Sequence, residues 1–409
     1  MRAELIAIGD ELVSGQRLDT NSPWLSERLA ELGVTVGFHT TVGDDMLANL
    51  TAFRAATQRV DLVIATGGLG PTADDLTRDV LAELVGKPLV WHQPSWEHIC
   101  QLFAARGRTV PERNRVQAML PEGAEPIPNR HGTAPGIYLR VPRSGSPPAH
   151  VFALPGVPAE MRQLWQEYVA PTVRALMPQP VCIQRHVVKC FGLGESDLEA
   201  RLPDLIRRGR RPAVGITVSQ ATISLRIQAE GGSKTECQQQ IDHTVALIRQ
   251  SLGPVVFGEG EHYELQHAVA DLLAARQVTL AVAECGTQGI VTHWLAEADK
   301  GVFRGGWVLP ELTDAPLPDT PATDSLPTRI GQWADAVRRH WQADLGLAIG
   351  PWPDSPGLQP TGHLIFALAC GNETRMHSVP VVGHPDLLRV RAAKQALDFV
   401  RLLLASNGI

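Results

Sequence analysis

The 409-residue chain lacks what a membrane span, a disulfide framework or a nucleic-acid coat would require. No apolar run approaches the roughly 18 residues needed to cross a bilayer. The six cysteines, at 100, 182, 190, 237, 285 and 370, show no paired metal spacing, so reduced thiols in a cytoplasm are expected. A formal net charge of −6 argues against nucleic-acid binding driven by bulk charge. The 14 histidines, among them His92, His98, His262, His267 and His293, form no His-Glu-x-x-His spacing and read as scattered core or surface residues. The first residues are strand-like rather than a secretory leader, which predicts a cytoplasmic protein without a membrane partner. What remains is ordinary globular composition, 44% apolar and 20% charged, with length for two or three domains. The nine tryptophans read as core or interface fillers.

Up to about residue 170, strand and helix signals alternate. Strands are expected at Ala3–Ile8, Val34–Val42, Val60–Ala65 and Val151–Leu154, and helices at Asn21–Leu32, Leu47–Gln58 and Leu76–Val85. Spacing of this kind implies parallel βαβ units. Asn114 to Pro158 breaks the rhythm, being rich in Pro, Gly and Asn. It reads as long loops, with a hairpin tip at Pro142–Pro148. From about 171 to 258 a βαββαβ order reads as a small split-βαβ module, a spacer or dimerisation element. Its four arginines between Arg207 and Arg211 read either as a phosphate or RNA grip or as a solvated helix end. From about 262 a third, α/β unit follows, interrupted by a proline-rich run from Pro310 to Pro327.

Two glycine-rich turns follow predicted strands near the N-terminus. The first is Gly9-Asp10-Glu11-Leu12-Val13-Ser14-Gly15, and the second runs from Gly67-Gly68-Leu69-Gly70 through Thr72 and Asp74-Asp75 to Thr77. Ligands of open α/β sheets bind at the carboxyl ends of strands. Backbone N–H groups beside carboxylates suit a phosphorylated nucleotide and a divalent cation such as Mg²⁺, Mn²⁺ or Co²⁺. Asp44 and Asp75, at the ends of the second and third predicted strands, would share one rim if those strands were parallel neighbours. They are the first candidates for catalysis and metal binding, followed by Asp10 and Asp74 and then Glu160. Gly67, Gly68 and Gly70, with Ser14, Gly15 and Thr72, are candidate phosphate holders. Asn21 either faces the site or caps its helix. Asp74 and Asp75 also fit plain helix-start carboxylates.

These motifs resemble the competence/damage-inducible CinA family over nearly the whole chain. Further matches are Asp19-Thr20-Asn21, Val42-Gly43-Asp44-Asp45, Asn114, Gln117, Asn129, Gly132-Thr133-Ala134-Pro135-Gly136, Leu154-Pro155-Gly156-Val157-Pro158-Ala159-Glu160-Met161 and Gly192-Leu193-Gly194-Glu195-Ser196. The resemblance implies an α/β protein of three domains. These are a Mog-like α/β domain at 1–170, a KH- or ferredoxin-like α+β module at 171–258, and an α/β domain at 262–409 similar to nicotinamide mononucleotide deamidase. It further implies divalent-metal-dependent hydrolysis of ADP-ribose in the first domain, and at least a homodimer. Two rival readings are a non-catalytic nucleotide- or pterin-binding scaffold and a molybdopterin adenylyltransferase.

The deamidase resemblance is incomplete. The family's Ala-Glu-Ser-Cys-Thr-Gly-Gly turn reads Ala283-Glu284-Cys285-Gly286-Thr287-Gln288-Gly289 here, placing Cys285 at the nucleophile position. The Tyr-Ser-Asn turn is absent after Gly305-Gly306. The Lys-Pro-x-Gly motif reads Gln359-Pro360-Thr361-Gly362, and the Gly-Asp-Arg motif reads Gly383-His384-Pro385. Amide hydrolysis needs nucleophile, proton donor and oxyanion partner together. The expectation is a folded domain without deamidase activity in which Cys285 is a small buried hydrophobe.

Overall fold

The computed structural model describes residues 1–177, 182–298, 300–309, 325–353 and 362–406. Two compact units emerge from its contacts. One comprises Met1–Gln184 with Glu230–Gln238, the other Arg185–Ala229 with Gln239–Ile409. Among the described residues no helix is long and apolar enough to cross a membrane.

The N-terminal domain opens with β1 (Arg2–Ile8), α1 (Asp10–Val13), α2 (Asn21–Glu31), β2 (Thr35–Val42), α3 (Met46–Arg59), β3 (Leu62–Thr66) and α4 (Thr77–Val85). There follow β4 (Leu89–Trp91), α5 (Gln93–Ala105), β5 (Met119–Pro121), β6 (Glu125–Ile127), β7 (Gly136–Arg143), β8 (Ser146–Leu154), α6 (Pro158–Leu164) and α7 (Ala170–Leu176). The main sheet runs β2-β1-β3-β8-β7-β6. Strand β1 pairs in parallel with both β2 and β3, and β8 lies parallel to β3. The second and third strands are therefore not neighbours, as the sequence reading supposed. β1 lies between them, and the chain reverses direction across it, the place where open sheets hold ligands.

Helices cover both faces of this sheet, which is why β1 and β3 are nearly continuous apolar runs. Ile6, Ile8, Val63 and Ala65 pack with Phe53 of α3 and Leu81 of α4. Leu5, Leu62 and Ile64 pack on the other side with Leu25 and Leu29 of α2 and with Trp165. The segment read largely as loop holds three strands beyond the expected one, β5, β6 and β7, and a 3₁₀ turn at Glu112–Ala118. Strand β8 was expected at Val151–Leu154; its start carries Pro147 and Pro148, where it turns back on β7, and this composition disguised its first residues. The hairpin tip between them was foreseen.

The middle module contains β9 (Cys182–Cys190), α8 (Glu195–Arg201), β10 (Ala213–Ser219), β11 (Thr222–Gly231), α9 (Lys234–Leu252) and β12 (Val256–Glu259), with sheet order β10-β11-β9-β12. This is the expected βαββαβ order. Helix α8 stops at Arg201, shortly before Pro203, so the Arg207–Arg211 arginines lie on a loop rather than a helix end.

The last region comprises α10 (Leu265–Arg276), β13 (Leu280–Glu284), α11 (Ile290–Glu297), β14 (Phe303–Val308), α12 (Leu326–His340), β15 (Leu345–Ile349), β16 (His363–Cys370), β17 (Glu373–Pro380) and α13 (Pro385–Ala405). Its sheet runs β14-β13-β15-β16-β17, the last two strands antiparallel. Strand β17 escaped the sequence reading because six of its first residues are solvent-exposed and carry no apolar alternation. Most of the proline-rich run, from 310 to 324, lies outside the described residues.

Candidate functional site

The turns after β1, β2 and β3 meet at one rim of the N-terminal sheet. They surround a cleft of about 480 Å³ lined by Gly9, Glu11, Arg17, Asp44, Gly67–Gly70, Asp74, Asp75, Gln117, Gly156 and Glu160, among others. Asp44 and Asp75 thus line one cleft although their strands are not adjacent.

Asp10 and Asp44 are bound to each other. The Asp44 N–H donates to Asp10 Oδ1 at 2.9 Å, and the Asp10 N–H donates to Asp44 Oδ2 at 3.0 Å. Asp10 does not line the cleft. Its carboxylate holds the β2 turn in place. Burial raises the Asp44 carboxyl above its ordinary value, and the negative charges of Asp10, Asp74 and Glu11 add to this, while the Asp10 N–H opposes it. Asp74 is exposed and held below the usual range by the Thr72 hydroxyl and by its own N–H.

Asp75 serves its own loop. One oxygen accepts the Gly70 N–H at 2.7 Å; the other accepts the Thr72 N–H at 2.9 Å and the Thr72 hydroxyl. Thr72 is thereby engaged and does not line the cleft, contrary to its expected phosphate role. Ser14 and Gly15 are exposed beyond α1 and do not line it either. Asn21 sits beside the cleft in a small side hollow, its Nδ2 donating to the Gly156 carbonyl at 2.9 Å. It does not cap its helix. Asp19 Oδ1 does, accepting the N–H groups of Asn21 and Ser22 at 3.0 Å.

The Gly67–Gly70 loop turns its carbonyls inward. The Thr77 hydroxyl donates to Gly67 O at 2.9 Å and the Thr77 N–H to Gly68 O at 3.1 Å. Arg78, only 4% exposed, donates from Nη1 to Leu69 O at 2.7 Å and from Nη2 to Gly70 O at 2.8 Å. Gln117 Nε2 also reaches Leu69 O at 3.4 Å. With Gly67 N bonded to Leu154 O and Gly70 N to Asp75, the N–H groups of Gly68 and Leu69 have no acceptor among the described residues. Gly67 adopts φ 111°, and a Cβ there would strike the Ile8 carbonyl.

Arg78 was missed by the sequence reading. A basic side chain in the first turn of a helix runs against the helix dipole, and that mismatch was the available signal. Arg17 and Glu11 were missed because they follow the first turn without a motif of their own. Arg17 has no ion-pair partner among the described residues.

Among the described residues no group of three or more His, Cys, Asp or Glu side chains is arranged to hold a metal ion. The donors present fit a cation that takes one or two carboxylates, here Asp44 and Asp74, and completes its shell with substrate oxygens and water, the habit of Mg²⁺. Burial, with the neighbouring negative charges behind it, is what raises Asp44, and a cation there would offset both.

At the deamidase-like position, Glu284 is fully buried. It accepts the Thr287 hydroxyl at 2.6 Å and the N–H groups of Val291 and Thr292 at 3.2 and 2.7 Å. Thr287 is therefore a strut under the start of α11. Cys285 is buried in an apolar cluster with Ala283, Leu309, Ile330 and Trp333. Helix α11 begins only at Ile290, so the thiol does not sit at its N-terminus. Gln359 lies outside the described residues.

Residues 4–175 match the model of a probable molybdopterin binding domain, and residues 185–258 that of the damage-inducible protein CinA KH domain. A CinA-like protein of Dictyoglomus thermophilum is 35% identical over 98% of each chain. The chain belongs to the CinA family. A putative competence-damage inducible protein of Oceanobacillus iheyensis is 32% identical over 100% of this chain and 99% of its own. The crystal structure of the CinA protein of Thermoplasma acidophilum is 32% identical and covers 42% of this chain and 96% of its own, with a TM-score of 0.38.

Proposed function

We propose that the N-terminal domain hydrolyses a nucleotide pyrophosphate of the ADP-ribose type with a divalent cation. The supporting observation is that one cleft pairs a crowded carboxylate, Asp44, with the two unaccepted N–H groups of Gly68 and Leu69. Hydrolysis adds water across the P–O–P bond, giving AMP and ribose 5-phosphate. The Gly68 and Leu69 amides bind phosphate oxygens, and the Arg17 guanidinium offsets charge on the leaving phosphate. Asp44 Oδ1 is the oxygen not engaged by Asp10. It is the oxygen left to hold the cation or to orient the attacking water by accepting its hydrogen bond. A bound cation would supply charge neutralisation of the pyrophosphate.

The test is AMP release from ADP-ribose, with and without Mg²⁺, Mn²⁺ or Co²⁺, for the native chain and for Asp44→Asn. Cation-dependent release that falls about a hundredfold or more in the variant is expected. Absence of release with every cation, in folded protein, refutes the reading. A second reading rests on the match of residues 4–175 to a probable molybdopterin binding domain. Transfer of an adenylyl group from ATP to molybdopterin in the same cleft would replace hydrolysis, and an assay with those two compounds decides between them.

A further inference from the structure

A larger hollow, about 940 Å³, opens within the second unit between the middle module and α13. One wall is apolar, with Phe191, Leu193, Val218 and Ile223. The other is a single stripe of α13, with Arg391, Gln395, Asp398 and Leu402 following one another at helical spacing. The glycine-rich turn Gly192–Glu195, which the N-terminal chemistry does not use, forms the rim.

The two walls are tied together beneath the groove. Lys394, 2% exposed, donates to the Thr222 hydroxyl and, at 2.8 Å, to Glu264 Oε2. Lys189 reaches the other oxygen of Glu264 at 3.5 Å. Arg401 donates to the Pro254 carbonyl at 2.7 Å and pairs with Asp398. A groove whose width is fixed in this way needs little ordering to bind a ligand.

Its charges are unevenly used. Asp398 is neutralised by Arg401, whereas among the described residues Arg391 makes only a 3.3 Å bond from Nη1 to the Val382 carbonyl. The Gln395 amide has no hydrogen bond among the described residues. The His377 ring stacks on Phe399 at 5.4 Å and 16°, adding a flat aromatic surface. Glu195 and Arg391 are both exposed, so water screens each of them. An apolar trough with an under-used guanidinium and an open amide at one side suits a molecule with an apolar body and an acid group.

We propose that this groove binds an apolar organic anion, a carboxylate or sulfonate on an aliphatic or aromatic body. The acid group lies on Arg391 and Gln395, and the body lies along Leu193, Val218 and Leu402. The site is independent of the N-terminal cleft.

The full chain is titrated with the fluorescent sulfonate 1-anilinonaphthalene-8-sulfonate. Saturable binding at one site is expected, displaced by decanoate and not by decyltrimethylammonium, which carries the same chain on a cation. Arg391→Gln weakens decanoate about tenfold. Val218→Trp fills the trough and abolishes binding of both anions. Leu402→Trp on the facing wall does the same if circular dichroism shows the first variant misfolded. Displacement by the cation as readily as by decanoate overturns the proposal, as does unchanged decanoate affinity in folded Arg391→Gln and in a folded trough-filling variant.

Discussion

Replacing Arg78 with methionine, which keeps length and apolar bulk but removes every donor, is a severe test of how the glycine loop is built. The guanidinium is 4% exposed and forms no salt bridge among the described residues; its charge rests on the carbonyls of Leu69 and Gly70 at 2.7 and 2.8 Å and of Asp75 at 3.3 Å. Burial lowers its pKa from the ordinary value, with Asp75 and Asp79 opposing. Hydrogen bonds to a charged group contribute about 1.5–3 kcal/mol each and do not add fully. In Arg78→Met, Gly70 O would lose its partner, and Leu69 O would retain only Gln117 at 3.4 Å. A net loss of about 3 kcal/mol follows, since methionine still fills the space. For a unit of this size that lowers Tm by about 6–12 °C. Differential scanning calorimetry of the full chain reads it directly. The same carbonyls fix which way the Gly68 and Leu69 amides face, so stabilisation by ADP-ribose with Mn²⁺ should vanish as well. A Tm within about 2 °C of the native value would refute the reasoning, because the loop would then hold its shape without Arg78.

Asp44→Asn is expected to abolish AMP release while raising Tm at pH 7 in the absence of divalent ions. The folded carboxyl is raised above its ordinary 3.8, so its contribution to stability is present below that pH and is lost as pH rises through the folded value. A Tm that falls in this variant counts against the crowding argument. Asp75→Ala, in contrast, should lose activity and about 2 kcal/mol of stability together, because it frees the Gly70 and Thr72 N–H groups; urea unfolding distinguishes the two aspartates. In the second unit, Glu264 is drawn below its ordinary 4.5 by Lys394 and Lys189 against the effect of burial, so its stabilisation is present above that pH and lost as pH falls through the folded value. Lys394→Met should flatten that acid dependence in a Tm-against-pH series. Gly67→Ala should cost about 2 kcal/mol or more, from its φ and its clash with Ile8, again read by urea unfolding.

The parallel strands and their turns were legible because burial on both faces writes long apolar runs, and because glycine and aspartate punctuate their ends. The order of those strands was not legible, since periodicity says nothing about which strand lies beside which. This is why Asp44 and Asp75 were assigned to adjacent strands. The turn residues themselves were found, but their orientation was hidden. Asp75 and Thr72 look like ligand groups in sequence and prove to bond each other. Arg78 looks like a solvated helix residue and proves to be buried. Cys285 stands at the nucleophile position of the motif, yet α11 begins only at Ile290, and it is the Glu284 carboxylate that meets the helix's first N–H groups.

The clasp between Asp10 and Asp44 ties the tips of two strands into one inherited unit. Each side chain grips the other's main chain, so removing one carboxylate leaves the turn held by the other alone. Substitutions at these positions are epistatic rather than independent, and a redesign that transplants the β2 turn alone would arrive without its anchor.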